Sequence, residues 1–296
     1  MGDWVLGIIG GSGLYALEGL EKAEWIDAGS PWGTPSDQLL SGWIAGIRCV
    51  FLPRHGRGHR LGPTQLDARA NIDALKRAGV TDLVSISAVG SLAEAIAPGD
   101  FVVADQFIDR TFARPKSFFG DGVVAHVSMA EPVCPRLSAL AATAARMAGA
   151  RVHEGGTYLA MEGPQFSTRA ESHLYRQWGA HIIGMTAMPE AKLAREAELP
   201  YALVGMVTDY DCWRAGENPV EVSDVLAQLS ANSACARRLV VTLAQTLPRV
   251  REPSPIDTTL DTAIITPPEA RNPAAMARLD AVAGRALGLS TARGPA

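Results

Sequence analysis

Short apolar runs alternate along the chain with longer stretches in which apolar residues recur every three or four positions. The short runs, at residues 4–9, 47–52, 82–86, 101–103, 156–160, 181–183 and 201–207, are rich in Val, Ile and Leu and predict strands. The longer stretches predict helices at 65–78, 136–148, 168–178, 189–198 and 222–246. Strand and helix in turn imply the α/β class: a single domain with a mainly parallel central sheet covered by helices on both faces. After Thr246 the pattern breaks at Pro248, Pro253, Pro255, Pro267 and Pro268, and a last helical stretch follows over 273–287. This divides the chain into a domain of residues 1–250 and a helical tail, 251–296, packed on the core or on a neighbouring subunit. No internal repeat or low-complexity linker interrupts the pattern.

Composition narrows the class of protein. With 296 residues and 47% hydrophobic content the chain can bury a large core. A net charge of -4, with the basic residues spread out except between Arg54 and Arg60, argues against a nucleic-acid partner and for a small molecule. Cys49, Cys134, Cys212 and Cys235 stand far apart and form no CxxC pair, so a disulfide framework and a zinc knuckle are not expected, and a reducing cytoplasm fits best. The opening residues lack a basic start and a signal-peptide core, and no apolar run approaches the roughly 20 residues that span a bilayer. A soluble protein away from membranes is expected.

Chemistry gathers where strands end. The run Met206-Val207-Thr208-Asp209-Tyr210-Asp211-Cys212-Trp213 closes an apolar strand with two acids two residues apart. Ligands of open α/β sheets collect outside the carboxyl ends of strands, and an acid desolvated there holds its proton to higher pH. Asp209 is therefore the first candidate for an acid, although Asp also closes ordinary strand-to-loop turns. Gly10-Gly11-Ser12-Gly13-Leu14 places a glycine-rich turn after the first strand, where backbone N–H groups and the Ser12 hydroxyl can meet an anion. The same residues match a loose dinucleotide fingerprint, Gly11-x-Gly13-x-x-Ala16, which keeps a nicotinamide-dependent enzyme open as a rival. That fingerprint needs an acid closing the next strand, whereas residues 25–31 read as a proline and glycine loop.

A second anion cluster follows residues 47–52, where Arg54 offers a planar fork and His55 a titratable donor. Ser87, at the end of another β-rich run, is aimed by the same logic at the same anion. Tyr158 to Thr168 brings Phe166 beside Ser167, a pair suited to a planar base, though Phe166 could equally be core and Ser167 or Thr168 a helix cap. Gly184-Met185-Thr186 precedes a helix opened by Pro189 and Glu190, which puts Met185 and Thr186 at its positive end. Asp209-x-Asp211 lacks the further ligands of a calcium loop, and no nucleophile elbow, HExxH or Walker lysine occurs.

Taken in order, Gly10-Gly11-Ser12-Gly13-Leu14, Arg54-His55-Gly56, Ser87-Ala88-Val89-Gly90-Ser91-Leu92, Met161-Glu162-Gly163-Pro164-Gln165-Phe166-Ser167, Gly184-Met185-Thr186 and Thr208-Asp209-Tyr210-Asp211-Cys212-Trp213 resemble the methylthioadenosine phosphorylase family, in the trimeric branch of the purine nucleoside phosphorylases. The resemblance implies a nucleoside phosphorylase-like domain with a mixed central sheet. It also implies phosphate-dependent cleavage of 5′-methylthioadenosine to adenine and 5-methylthioribose 1-phosphate. By resemblance, phosphate meets Ser12, Arg54, His55, Ser87, Ala88 and Thr186, and the base meets Phe166, Ser167, Asp209 and Asp211, with Asp209 as the catalytic acid. The ribose lies on Met185. Val222, Val225 and Leu226, which share one helix face by their spacing, line the methylthio pocket, and His126 enters it from a neighbouring subunit. The family further implies no metal and no organic cofactor, inorganic phosphate as co-substrate, a homotrimer or homohexamer, and a cytoplasmic enzyme of salvage. Two departures stand out. Ser12 and Ser87 replace the family's common threonines, and Gly184 replaces an Asn in a pattern shared with relatives that cleave methylthioinosine, which makes a 6-oxopurine phosphorylase the nearest alternative.

Overall fold

The computed structural model describes residues 3–11, 14, 19–214 and 222–289, with side chains omitted for 222–227. Eleven strands form one sheet: β1 (Val5–Gly10), β2 (Glu21–Ile26), β3 (Leu39–Ile44), β4 (Ile47–Pro53), β5 (Asp82–Ser91), β6 (Phe101–Ala104), β7 (Gln106–Asp109), β8 (Val152–Glu154), β9 (Thr157–Ala160), β10 (Ile182–Gly184) and β11 (Tyr201–Asp209). The helices are α1 (Ala68–Arg77), α2 (Pro135–Met147), α3 (Arg169–Gln177), α4 (Ala187–Glu196), α5 (Val222–Thr246), α6 (Pro273–Arg278) and α7 (Asp280–Leu287).

The central strands are apolar on both faces because helices cover both. Along β4, Val50 and Leu52 join one apolar cluster with Ile72 and Leu75 of α1, Leu193 of α4 and Val282 of α7. The alternating Cys49 and Phe51 join a second with Leu137 of α2 and Leu239 and Leu243 of α5. The same two-residue alternation sends Leu203 and Val207 of β11 to the first layer and Ala202, Val204 and Met206 to the second. Near-continuous hydrophobic runs are the signature of strands buried on both sides, which is why these were visible in the sequence.

The sheet is mixed. β1 runs parallel to β4 and β5, β11 parallel to β5, and β9 parallel to β10 and β7, whereas β10 is antiparallel to β5 and β6 to β11. Four strands escape the hydrophobic pattern. β2 carries Glu21, Lys22 and Glu24 on an exposed edge, β3 is interrupted by Ser41 and Gly42, and β7 and β8 are short and half-buried. Charged edge strands are held by backbone pairing and carry little alternation. The loop expected at residues 25–31 starts only at Asp27, because Trp25 and Ile26 close β2. β2 and β3 form an antiparallel meander at the sheet edge rather than a crossover to a parallel neighbour of β1, which removes the frame that a dinucleotide fingerprint requires. The helix expected over 273–287 is split at Leu279, where α6 ends and α7 begins. Leu260, Leu279, Val282 and Leu287 belong to the first core layer, so the last segment is packed against α1 and α4.

The topology opens a fork on β5. Its residues 82–86 pair with β1 on one edge, and the same edge pairs with β10 only from Gly90 onward, because Gly90 has β11 on its other side. Between these points Ser87, Ala88 and Val89 have no strand on that edge among the described residues, and a cavity occupies the gap.

Candidate active site

The cavity is about 690 Å³ in volume and is lined from six directions by strands and the loops after them, and from a seventh by α5. Gly11 and Leu14 follow β1, Arg54, His55 and His59 follow β4, and Ser87 to Gly90 come from the fork of β5. Pro164 and Phe166 follow β9, Gly184, Met185 and Thr186 join β10 to α4, and Thr208, Asp209 and Asp211 close β11. β1, β4, β9, β10 and β11 bring their carboxyl ends here and β5 its fork, in keeping with the way ligand sites gather at strand carboxyl ends in open α/β sheets.

One end of the cavity is built for an anion. Ser87 and Thr186 hydroxyl oxygens lie 3.1 Å apart. Thr186 caps α4 without a side-chain capping bond, which leaves its hydroxyl for Ser87 or a ligand. Beneath them Arg54 is fully buried; its Nε donates to Glu190 Oε1 at 2.6 Å, Nη2 to Ser85 Oγ at 2.6 Å and Nη1 to the Ile86 carbonyl at 3.0 Å. A guanidinium desolvated this far is retained only when paired, and Glu190 is the pair. Nη1 carries a second hydrogen beyond the one given to Ile86, so the cation can still reach an anion on the wall. His55 Nδ1 lies 2.9 Å from the Leu61 carbonyl, which only accepts, so Nδ1 bears the proton and Nε2 is left as an acceptor. Burial and the nearby Arg54 charge pull the His55 pKa down to about 4, which keeps the ring neutral. His59 stacks on it at 4.3 Å.

The opposite end holds the two carboxyl groups. Asp209 Oδ2 accepts from the Thr208 hydroxyl at 2.6 Å, and Oδ1 accepts from the Asp211 N–H at 2.8 Å. The second bond makes an Asx turn that holds Asp211 at φ 52°, a left-handed conformation Asp tolerates. Burial raises the pKa of Asp209 against both hydrogen bonds, and raises that of Asp211 with the Asp209 charge adding to it. Asp211 Oδ2 is buried and makes no close hydrogen bond, while the Ser172 and Ser167 side chains lie near enough to offset part of the rise in its pKa. Gly90 makes room for this corner, since a methyl there would lie 2.9 Å from Asp209 Oδ1 and 3.1 Å from Ile183. The indole N–H of Trp213 donates to the Ser91 carbonyl at 2.8 Å and the Cys212 thiol to the Ser167 carbonyl at 3.3 Å, which ties the acidic turn to β5 and to the loop bearing Phe166.

Arg54, His55, Ser87, Ala88, Met185, Thr186, Phe166, Asp209 and Asp211 thus converge on one cavity. Phe166 is 44% exposed rather than core, and Thr168, not Ser167, caps α3, in a capping box with Glu171. Ser167, expected at the base, does not line the cavity; its hydroxyl lies 3.7 Å from the Met161 sulfur. His126 is exposed and away from this chain's own cavity. Ser12 lies outside the described residues, as do the side chains of Val222, Val225 and Leu226.

Several contributors carried no motif. Glu190 reads in sequence as a first-turn acid at a helix start, yet its carboxylate is turned to Arg54 and also accepts from Ser85 at 3.0 Å. Arg114 donates to the carbonyls of Met185 at 2.5 Å and Met188 at 2.9 Å while its Nε meets Glu162 at 3.1 Å, so a buried ion pair from two loops fixes the wall segment 185–188. Glu162 also accepts from Thr64 and the Phe112 N–H, each at 2.6 Å, and these bonds outweigh burial and lower its pKa to about 2. Leu229 and Ser233 of α5 complete the wall. Only the fold brings these partners together.

Residues 5–245 match the phosphorylase superfamily. The S-methyl-5′-thioadenosine phosphorylase of Cereibacter sphaeroides is 60% identical over 96% of this chain and 98% of its own length, and that of Bradyrhizobium diazoefficiens is 59% identical over the same shares. A crystal structure of a methylthioadenosine phosphorylase from an Antarctic soil metagenomic library superimposes with a TM-score of 0.90 at 45% identity, covering 95% of this chain and 99% of that one. The Schistosoma mansoni methylthioadenosine phosphorylase in complex with adenine superimposes with a TM-score of 0.77 at 38% identity, over 82% of this chain and 91% of that one. With its mixed sheet, its forked β5 and near full-length identity to these enzymes, the chain belongs to the phosphorylase superfamily, in its S-methyl-5′-thioadenosine phosphorylase family.

Proposed function

We propose that the protein catalyses the reversible phosphorolysis of 5′-methylthioadenosine to adenine and 5-methylthioribose 1-phosphate, as a pentosyltransferase of purine and methionine salvage. The observation that carries the reading is the single cavity with hydroxyls over a buried arginine at one end and two desolvated carboxyl groups at the other. Breaking a glycosidic bond leaves positive charge on the ribose and negative charge on the purine. Asp209, whose pKa burial raises, holds a proton to give to N7 as the base departs. Phosphate held by Arg54, Ser87, Ala88, Thr186 and Ser12, with the neutral His55 ring accepting from the hydroxyl of a hydrogen phosphate, lies beneath the sugar, where it stabilises the developing cation and then attacks C1′. The Asp209 and Asp211 carboxyl groups are acceptors suited to the 6-amino group of adenine, and a 6-oxo group there would oppose oxygen to oxygen. Phe166 bounds the base and Met185 the ribose.

Val222, Val225 and Leu226 are assigned to the 5′-methylthio group, together with His126 of a neighbouring subunit. The family resemblance supports a homotrimer or homohexamer in which one chain completes another's pocket, and an exposed His126 outside its own chain's cavity is compatible with that. Residues 1–250 are then the catalytic domain and 251–296 its tail. No helix among the described residues is long and apolar enough to cross a membrane, and a cytoplasmic enzyme needing inorganic phosphate but no organic cofactor fits this reading.

The test is to incubate the protein with 5′-methylthioadenosine with and without phosphate and quantify free adenine, with methylthioinosine and adenosine in parallel. Adenine released only with phosphate is the expected result, and faster cleavage of methylthioinosine would move the assignment to a 6-oxopurine phosphorylase. Base release that does not depend on phosphate would overturn the reading.

A further inference from the structure

Gly184 ends β10 on the cavity wall, and what lies behind it is unusual for a strand end. A methyl group at position 184 would sit 2.1 Å from the Tyr158 hydroxyl oxygen and 2.8 Å from the ring carbon that carries it. The phenol occupies the volume that any side chain at 184 would need. Tyr158 belongs to β9, is fully buried and is absent from the wall itself. Its hydroxyl accepts from the Thr186 N–H at 3.4 Å and lies against the Ser87 and Thr186 hydroxyls. Those two hydroxyls, 3.1 Å apart, are the ones that face the anion end of the cavity. Burial in this corner raises the Tyr158 pKa, so the phenol keeps its proton and remains a donor.

We propose that Tyr158 is a positioning residue for the anion half of the site, and that Gly184 is the residue that admits it. Hydroxyl rotors of Ser and Thr lose orientational freedom when they bind an anion, and a neighbour that has already oriented them lowers that cost. Thr186 is held by no capping bond to α4, so the phenol and Ser87 are its orienting partners on this side. The main-chain N–H of Thr186 is steered by the same oxygen. Position 184 has no side chain of its own to offer the cavity; the polar group comes instead from the adjacent strand, one layer behind. The effect therefore falls on phosphate and not on the nucleoside. This inference rests on reading the cavity as a phosphate site.

The experiment measures inorganic phosphate binding by calorimetry, without nucleoside, on the wild-type chain and on Tyr158→Phe, which removes the oxygen and keeps the ring. Steady-state kinetics with 5′-methylthioadenosine run beside it. For Tyr158→Phe the phosphate Kd and KM are expected to rise about five- to tenfold, the equivalent of one neutral hydrogen bond, with the nucleoside KM and the kcat at saturating phosphate within about twofold of wild type. An unchanged phosphate affinity in the folded variant overturns the proposal, as does a defect that falls on the nucleoside KM alone. Gly184→Ala, whose methyl displaces the phenol, gives an independent reading if the first variant does not fold. It should weaken phosphate in the parent chain and add nothing further in Tyr158→Leu; an additive effect overturns the pairing. If the wild type binds phosphate yet releases no adenine, the functional reading falls and the calorimetry still decides the role of Tyr158. If it binds no phosphate, both fall.

Discussion

Asp209 and Asp211 are the same residue type two positions apart, and the fold gives them different work. Asp209 spends both oxygens on local donors, Thr208 and the Asp211 N–H, while Asp211 Oδ2 makes no close hydrogen bond. Replacing Asp209 with Ala is expected to lower kcat by roughly 10²–10⁴-fold with the fold retained, which circular dichroism and steady-state kinetics check together. Burial raises the Asp209 pKa, so its acid form persists above the ordinary carboxylate range and is lost as pH rises through the shifted value. In wild type an alkaline limb in kcat should follow this group, and the limb should be absent in Asp209→Asn. Gly90→Ala tests the same corner from behind: a methyl 2.9 Å from Asp209 Oδ1 has to move the carboxyl group. Turnover is expected to fall by at least about tenfold while the thermal midpoint changes little, and wild-type turnover would show that the Asp209 position is not critical.

At the scale of elements, α4 acts at both ends. Its start presents Thr186 and Glu190 to the site, and its last turn holds Glu196 against the loop that follows Arg114. Glu196 accepts from the Ser117 hydroxyl at 2.7 Å and the Phe118 N–H at 2.6 Å, yet burial outweighs both and pushes its pKa from 4.5 to about 7. Between those values the folded chain keeps a proton that the unfolded chain has released. The contribution of this group to stability is complete below the unfolded value of 4.5 and is lost as pH rises through about 7. Glu196→Gln, whose amide can accept from Phe118 and donate to Ser117, is expected to gain on the order of 3 kcal/mol over wild type at pH 8 relative to pH 4. Urea midpoints at the two pH values measure this, and parallel shifts in the two proteins would place the pH dependence elsewhere.

For the molecule as a whole, the decisive feature is the edge of β5 left open between β1 and β10. Two apolar layers hold the sheet rigid on either side, so the segments that reach the fork arrive at fixed separations. A rigid frame of this kind positions groups before the substrate arrives, where a flexible one would have to order them on binding. His126 projects from the surface, outside its own chain's cavity. If a neighbouring chain receives it, light scattering should give a mass of three or six chains. His126→Ala should then raise the nucleoside KM about fivefold or more and leave the phosphate KM unchanged. Equal KM values in variant and wild type would remove His126 from the pocket.

Much of this was legible in the amino-acid sequence because the responsible physics is local. Strands buried on both faces read as unbroken apolar runs, helices repeat with their own period, and an acid or a glycine turn at the end of a run marks a strand's carboxyl end. Arg54, Ser87, Thr186 and the pair Asp209 and Asp211 were found that way, and their resemblance to one family tied them together. The charged edge strand β2, the ion pairs of Arg54 with Glu190 and Arg114 with Glu162, and the phenol behind Gly184 were not, since each depends on groups up to 136 residues apart. Sequence periodicity determines what each segment is and which side of it is apolar. Only the tertiary structure decides which distant charge neutralises a buried one, because desolvation makes that choice after the chain has packed.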